Sequence, residues 1–446
     1  MRAPSTPLVL ALAFVPLAVR AVAACGGDSS PPPTTPAMAP ETATTTAAPP
    51  PPPPPKSVGP DPSGRTSAAE GSFDYEVEFL RKHGTVEVLE APNGGRVAVS
   101  PTYQGRVMTS AIGAAEKSIG WVNHKFIEEK KTGAAFDNYG GEDRFWLGPE
   151  GGQFALFFAP GAEFNLTKWQ TPAALQEGAW TVSEKTATRV VFKRNLTLKN
   201  YKGTEFSLEV ERTIDLLSAG DVEKLAGTKP GEGVKWVGFA TTNKITNTGS
   251  KAWTKDAGLL SVWILGQFNP APDGYVIVPF EAAAKGEVVN DRYFGKVPAD
   301  RLATESKDGY LRFKADGQHR SKIGLGPSRA KNVLGSYAES AKLLTVVSYD
   351  KPKANDYVNS MWEKQKAPYG GDVVNSYNDG PTDPGKPSLG GFYELETSSP
   401  AAALAPKASL VHVNRTFHFV GDRASLEPIA KKALNASLAK VAEGIH

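Results

Sequence analysis

Two carboxylates and two imidazoles lie within one C-terminal stretch, GFYELETSSPAAALAPKASLVHVNRTFHF, residues 391–419. Glu394 and Glu396 are two residues apart, His412 and His418 are six apart, and the chain has six histidines in all. A carboxylate takes a proton from a hydroxyl and an imidazole returns one near neutral pH, so the set has the composition of an acid–base site. Alternate residues of a strand share a face. Phe392, Glu394 and Glu396 then lie opposite Tyr393, Leu395 and Thr397. Likewise His412, Asn414, Thr416 and His418 form a wholly polar face opposite Val411, Val413, Arg415, Phe417 and Phe419. If the two strands pair with polar faces together, both carboxylates and both imidazoles converge. The alternative is a pair of solvated outer faces. Imidazole with carboxylate suits zinc or manganese, but no tight ligand spacing is present, so neither metal nor cofactor is expected.

Other residues join this candidate set. Gly140-Gly141-Glu142-Asp143-Arg144-Phe145-Trp146 places two acids, a base and an indole beside a flexible loop. Aromatic rings stack on the apolar face of a sugar, while acids and Arg bond its hydroxyls. A structural Glu/Arg pair in a turn would look the same. In TEFSLEVERTI the apolar face Phe206, Leu208, Val210 continues into Arg212, whose charge needs a partner, an opening to water or a strand end there. Asn378 lies in a polar loop before the glutamate strand, and Lys322, Arg329 and His124 are weaker candidates. No phosphate loop, GxSxG elbow or dinucleotide fingerprint occurs.

The elements that must position these residues read as strands. From Thr85 onward, short apolar-alternating runs are punctuated by Gly, Pro, Asn and Asp, about fifteen of them. Among them are expected strands at 118–126 and 152–159. A helix is expected over FDYEVEFLRKHG, ended by Gly84, another over LEPIAKKALNASLAKVAEG, and a third near YVNSMWEKQ. The fold class is all-β: one large antiparallel β-sandwich with a few short helices.

Composition narrows the function classes. Lys and Arg total 50, Asp and Glu 47, and the charges are well mixed, which argues against a nucleic-acid partner. The one cysteine, Cys25, excludes an internal disulfide. It ends MRAPSTPLVLALAFVPLAVRAVAAC, an N-terminal Arg, an apolar run too short to span a membrane, then small residues. Residues 26–70 hold seven consecutive prolines and almost no large apolar side chain, the composition of a disordered spacer. The expected organisation is a leader at 1–24, a tether at 25–71 and a domain at 72–446.

Two resemblances follow from these residues. Val22-Ala23-Ala24-Cys25 resembles the lipobox of bacterial lipoproteins, which implies cleavage before Cys25, lipidation of Cys25 and a membrane-anchored place in the cell envelope. An ordinary secretory leader with an incidental cysteine is the alternative. Glu394-Leu395-Glu396-Thr397 with Pro400 resembles the LETQ-x-x-P segment of aldose 1-epimerases (galactose mutarotases). GGEDRFWLGPEGGQF, residues 140–154, is similar to the early Gly-rich segment of mutarotase-like lipoprotein families of unknown function. That resemblance implies a β-supersandwich, a carbohydrate ligand and Glu396 as the base that takes the anomeric proton. The family's acid is a His after a strand ending in Asn-Thr-Gly. Here ITNTG is followed by SVWILGQFNP, and Gln267 stands in its place. Its amide does not titrate near neutral pH, so His412, His418 or His124 would have to act as the acid. The sequence therefore predicts a carbohydrate-binding cleft of Glu142, Asp143, Arg144, Trp146, Arg212, Gln267, Asn378, Glu394, Arg415 and His418. Glu396 and His412 are its catalytic candidates; a non-catalytic or weakly catalytic binder is the leading expectation, and a sugar epimerase or other carbohydrate-modifying enzyme with Glu396 as general base is the alternative.

Overall fold

Alternating runs bounded by turn residues fold here as β1 (Glu87–Glu90), β2 (Gly95–Ser100), β3 (Arg106–Ile112), β4 (Arg144–Gly148), β5 (Thr181–Lys185), β6 (Arg189–Lys199), β7 (Glu205–Leu216), β8 (Lys235–Asn247) and β9 (Ser261–Phe268). The second half supplies β10 (Tyr275–Pro279), β11 (Leu302–Glu305), β12 (Tyr310–Lys314), β13 (Ser321–Leu325), β14 (Val333–Ala338), β15 (Leu343–Tyr349), β16 (Val374–Asn378), β17 (Tyr393–Ser398) and β18 (Ser409–Val420). Among the described residues six helices accompany them: α1 (Phe73–His83), α2 (His124–Glu129), α3 (Ala173–Gln176), α4 (Ala219–Ala226), α5 (Arg423–Leu434) and α6 (Leu438–Ala442). This computed structural model describes residues 68–445 apart from 113–115, 134, 228 and 383–384. The expected leader, Cys25 and all but the last four residues of the expected tether lie outside the described residues.

The strands form three sheets with antiparallel ladders. A ten-stranded sheet runs β11-β12-β10-β14-β15-β18-β8-β7-β6-β5, a five-stranded sheet β13-β16-β17-β9-β4, and a small one β1-β2-β3. The five-stranded sheet packs face to face on the ten-stranded one. Phe192, Phe206, Leu208, Val210 and Phe239 meet Phe145, Val262 and Ile264 at one end. Val276, Leu311, Phe313 and Leu334 meet Ile323, Leu325 and Leu395 at the other. Truncating one such ring, as in Phe239→Ala, costs about 3–5 kcal/mol. The opposite face of the ten-stranded sheet is covered by α4, α5 and α6, with Ile277, Val346, Phe417 and Phe419 against Leu426, Ile429 and Leu434.

The space between the sheets is not uniformly apolar. The polar face of β18 points inward, and on its other face Val411 is exposed while Phe417 and Phe419 are covered by the helices. His412, Asn414 and His418 find partners across the gap, while Thr416 Oγ1 is buried without a hydrogen-bond partner among the described residues. His412 Nε2 is 2.9 Å from Thr397 Oγ1, and Thr397 donates to Asn414 Oδ1 at 3.0 Å. Asp143 accepts from Arg212 at 2.5 Å, Thr241 at 3.0 Å and Asn414 at 3.1 Å. A buried charge of this kind stays only with such partners, which is how Arg212 interrupts an apolar strand face.

Some local expectations need correction. The stretch near 357–365 is irregular rather than helical, and 152–159 is loop. The expected strand at 118–126 gives way to α2, started by Asn123, whose side chain accepts from Phe126 N. The C-terminal helix is two helices. Asn435 takes a left-handed φ of 54° and ends α5, and Ser437 caps α6.

Candidate functional site

The side chains that leave the five-stranded sheet on its outer face line a cavity of about 520 Å³, roofed by loops. Roughly 300–1,000 Å³ is usual for a small-molecule site. Strand periodicity decides who faces it. On β17, Tyr393, Leu395 and Thr397 point between the sheets, so Glu394 and Glu396 point outward. On β9 the outward residues are Trp263, Leu265 and Gln267, on β4 they are Arg144 and Trp146, and on β13 Lys322. Register sets the neighbours: Glu394 lies between Tyr377 of β16 and Gln267 of β9.

Two buried ion pairs form the floor. Arg144 Nη2 donates to Glu394 Oε1 at 3.0 Å. Its guanidinium lies over the Trp146 ring at 3.9 Å and the Phe136 ring at 5.0 Å. Lys322 Nζ and Trp263 Nε1 both donate to Glu396 Oε2 at 2.9 Å. Burial dominates the titration of the first pair. It depresses Arg144 and pushes the Glu394 carboxyl up to about 7, despite the Arg144 charge and with help from neighbouring Glu396. Burial also pulls on Lys322, but Glu396, Glu150 and Glu394 more than offset it and raise its pKa, so it stays an ammonium. Several polar atoms here have no protein partner although buried: Arg144 Nε and Nη1, Trp146 Nε1, Glu396 Oε1 and Gln267 Oε1. Such atoms are costly unless a bound molecule satisfies them.

The walls are aromatic. Four of the eight tryptophans, Trp146, Trp169, Trp263 and Trp362, line the cavity, joined by Phe136 and Tyr377. Trp169 donates Nε1 to Glu150 Oε1 at 2.9 Å, and burial raises the Glu150 carboxyl. Indole and phenyl faces beside fixed charges can hold a ring that is apolar on its faces and hydroxylated at its edge.

Of the candidates read from sequence, Arg144, Trp146, Glu394 and Lys322 line this cavity, and Glu396 lies in its floor behind Lys322. Gln267 faces the same way and donates to Asn138 at 3.1 Å. The others are elsewhere. The convergence of Glu394 and Glu396 with His412 and His418 does not occur, because β17 and β18 belong to different sheets, and it is Thr397 of β17 that bonds His412 and Asn414 of β18. His412 is sealed behind the five-stranded sheet, where burial drives its pKa down to about 4. His418 lies in the same interior, with Nε2 2.9 Å from Glu142 Oε2 and Nδ1 2.8 Å from Thr345 Oγ1.

Glu142 and Asp143 are turned inward with them. The turn depends on Gly140 and Gly141, at φ of 88° and 110°, where a side chain would meet Trp121 O and Arg106. Arg212 is locked to Asp143, and Arg415 pairs on the outer surface with Asp350 at 2.8 Å. Asn378 braces a turn, accepting from Gly317 N and donating to His319 O, both at 2.9 Å. Arg329 binds the carbonyls of Glu281 and Gly286, and His124 is 2.6 Å from Glu76 Oε2. Sequence reading missed Glu150, Trp169, Trp263 and Trp362. They come from separate segments; the signal for the three tryptophans was the indole count, and Glu150 lay within the quoted Gly-rich segment 140–154.

Among solved structures, the chain is similar to a provisional aldose 1-epimerase of Escherichia coli K12, at 12% identity and a TM-score of 0.46, over 76% of this chain and 99% of that one. It is also similar to a galactose mutarotase-like protein of Lactobacillus casei, at 12% identity and 0.42, over 75% and 100%. A galactose mutarotase related enzyme of Lactobacillus acidophilus follows at 11% identity and 0.41, over 75% and 97%. No curated protein matches the sequence. The model of a family of unknown function, DUF6786, matches residues 71–445, and the chain belongs to that family.

Proposed function

We propose that this protein binds a carbohydrate in the cavity over the outer face of the five-stranded sheet, and does so as a binder rather than as an efficient isomerase. One observation carries the reading: buried polar atoms without protein partners, on Arg144, Trp146 and Glu396, converge where four indoles form the walls. Indole faces take the C–H face of a pyranose, while the charged atoms take its hydroxyls. The sequence resemblance of the Glu394–Pro400 segment to aldose 1-epimerases points to the same ligand class. Ring opening needs a base and an acid. No imidazole lines the cavity among the described residues, and Gln267 beside Glu394 cannot act as the acid. The Val22–Cys25 stretch supports a lipid anchor in the cell envelope.

A second reading is favoured by Glu394 alone. With its pKa raised to about 7, it is divided between acid and carboxylate at neutral pH, as a proton-transfer group should be. It would then replace Glu396, which Lys322 and Trp263 hold, as the residue that exchanges the anomeric proton.

Calorimetric titration of the full chain with common hexoses and disaccharides, beside polarimetry of freshly dissolved α-anomers, separates the readings. Binding without faster anomerisation supports the first. Acceleration that disappears in Glu394→Gln supports the second. No binding of any sugar overturns both.

A further inference from the structure

Three large apolar side chains are exposed among the described residues: Leu166 at 39%, Leu389 at 38% and Val411 at 53%. Leu166 and Leu389 both stand at the mouth of the aromatic cavity, although they are 223 positions apart in the chain and come from unrelated loops. Between them and the floor lie the half-buried rings of Trp169 and Trp362, stacked at 6.5 Å with 23° between planes, and Phe294 edge-on to Trp362 at 5.7 Å. Scattered exposed leucines need no explanation, but apolar residues gathered at one opening mark a contact surface.

The polarity of the cavity is therefore graded. Its charged groups, Arg144, Glu394 and Lys322, are buried at the floor. Its outer part is mainly apolar: the exposed Lys386 and the half-buried Arg320, which lies over the Phe294 ring at 3.7 Å, are its charged residues, and their stems add to the same surface, beside the small polar side chains of Asn123, Thr382 and Ser388. A free sugar seated on the floor would meet the charges and the inner indoles and leave the mouth wet. Floor and mouth bound one continuous cavity, so a single molecule with a hydroxylated end and an apolar end fills both.

We infer that the ligand is a glycoside with an apolar aglycone, its sugar on the Arg144–Glu394–Lys322 floor and its aliphatic or aryl group across Leu166, Leu389 and Trp362. This rests on the carbohydrate reading of the floor. It adds the class of ligand: a glycolipid headgroup with the start of its chain, or an aryl glycoside, rather than a free monosaccharide.

The test uses the full chain and paired probes, the methyl and n-octyl β-glycosides of glucose, galactose and mannose, titrated by calorimetry below the octyl compounds' micelle concentrations. For whichever sugar binds, the octyl glycoside should bind at least about tenfold more tightly than the methyl glycoside. In Leu166→Ser with Leu389→Ser, both at exposed positions that the fold does not need, that ratio should fall to within about twofold of one, with the melting temperature unchanged. Equal affinity for octyl and methyl glycosides overturns the inference and leaves the carbohydrate reading standing. Octyl binding that ignores the sugar, with no methyl glycoside bound, overturns the carbohydrate reading and the inference together. So does the absence of binding by every probe.

Discussion

Thr397 Oγ1 and His412 Nε2 meet at 2.9 Å across the space between the two sheets. Because Thr397 and Glu396 are adjacent on one strand, this contact fixes the geometry of the whole candidate site. If Thr397 reaches back to His412, Glu396 and Glu394 must point the other way. The imidazoles are part of the structure that holds the sheet, and the carboxylates are part of what the sheet presents.

His412 should thus matter for acid stability and not for ligand. Burial lowers its pKa to about 4, below the ordinary histidine value of about 6.5. Between those values the unfolded chain binds a proton that the native state refuses, so the native state loses stability as pH falls from about 6.5 to about 4. His412→Asn should remove that loss and leave sugar affinity within about twofold of wild type. Urea unfolding at several pH values and one calorimetric titration check this. An affinity loss of tenfold would place His412 in the site after all.

Glu394 has the opposite sign. Its folded pKa of about 7 lies above its unfolded value near 4.5, so its contribution is complete below about 4.5 and is lost as pH rises through 7. The shift corresponds to about 3 kcal/mol. Glu394→Gln leaves Arg144 without its counter-charge at every pH, which is a constant cost. Relative to wild type, however, the variant should gain stability steadily from pH 4.5 to 7.5. A flat difference in urea unfolding would show that the carboxyl is not raised.

The Lys322–Glu396 pair should behave as a buried unit. Lys322→Met strands the Glu396 carboxylate at zero exposure and should cost about 3–5 kcal/mol in chemical denaturation. Adding Glu396→Gln should restore most of it. A single-variant cost below about 1 kcal/mol, the value of a solvated pair, would mean that water reaches Glu396.

Cys25 carries the localisation proposal. Cys25→Ser should move the protein from the membrane pellet to the soluble fraction. Retention of the variant in membranes after a carbonate wash would contradict a lipid anchor.

The sequence made strand faces legible but not sheet membership. Alternation placed Glu394 with Glu396, and His412 with His418, each on one face, and the structure keeps both pairings. It could not say that β17 and β18 stack in different layers, because period 2 carries no information about the partner strand. The polar face of β18 read either as one wall of a cleft shared with the glutamates or as a solvated outer face, and it is neither: it is buried between the sheets, where Thr397, Asp143 and Glu142 bond His412, Asn414 and His418 across the gap. β4 and β16 were hidden for a related reason. Their outward residues Arg144 and Tyr377 face a roofed cavity, so neither polarity nor alternation distinguished them from loop. α1 was legible from Phe73 to its end at Gly84.

The most direct measurement is a crystal structure of the full chain with whichever sugar binds best. The account predicts the pyranose on the outer face of the five-stranded sheet, stacked on Trp146 or Trp263, with a hydroxyl within hydrogen-bond distance of Glu394. A sugar lodged anywhere else, such as the separate cleft beside Tyr275 and Lys342, with the indole-walled cavity left to solvent, would contradict it.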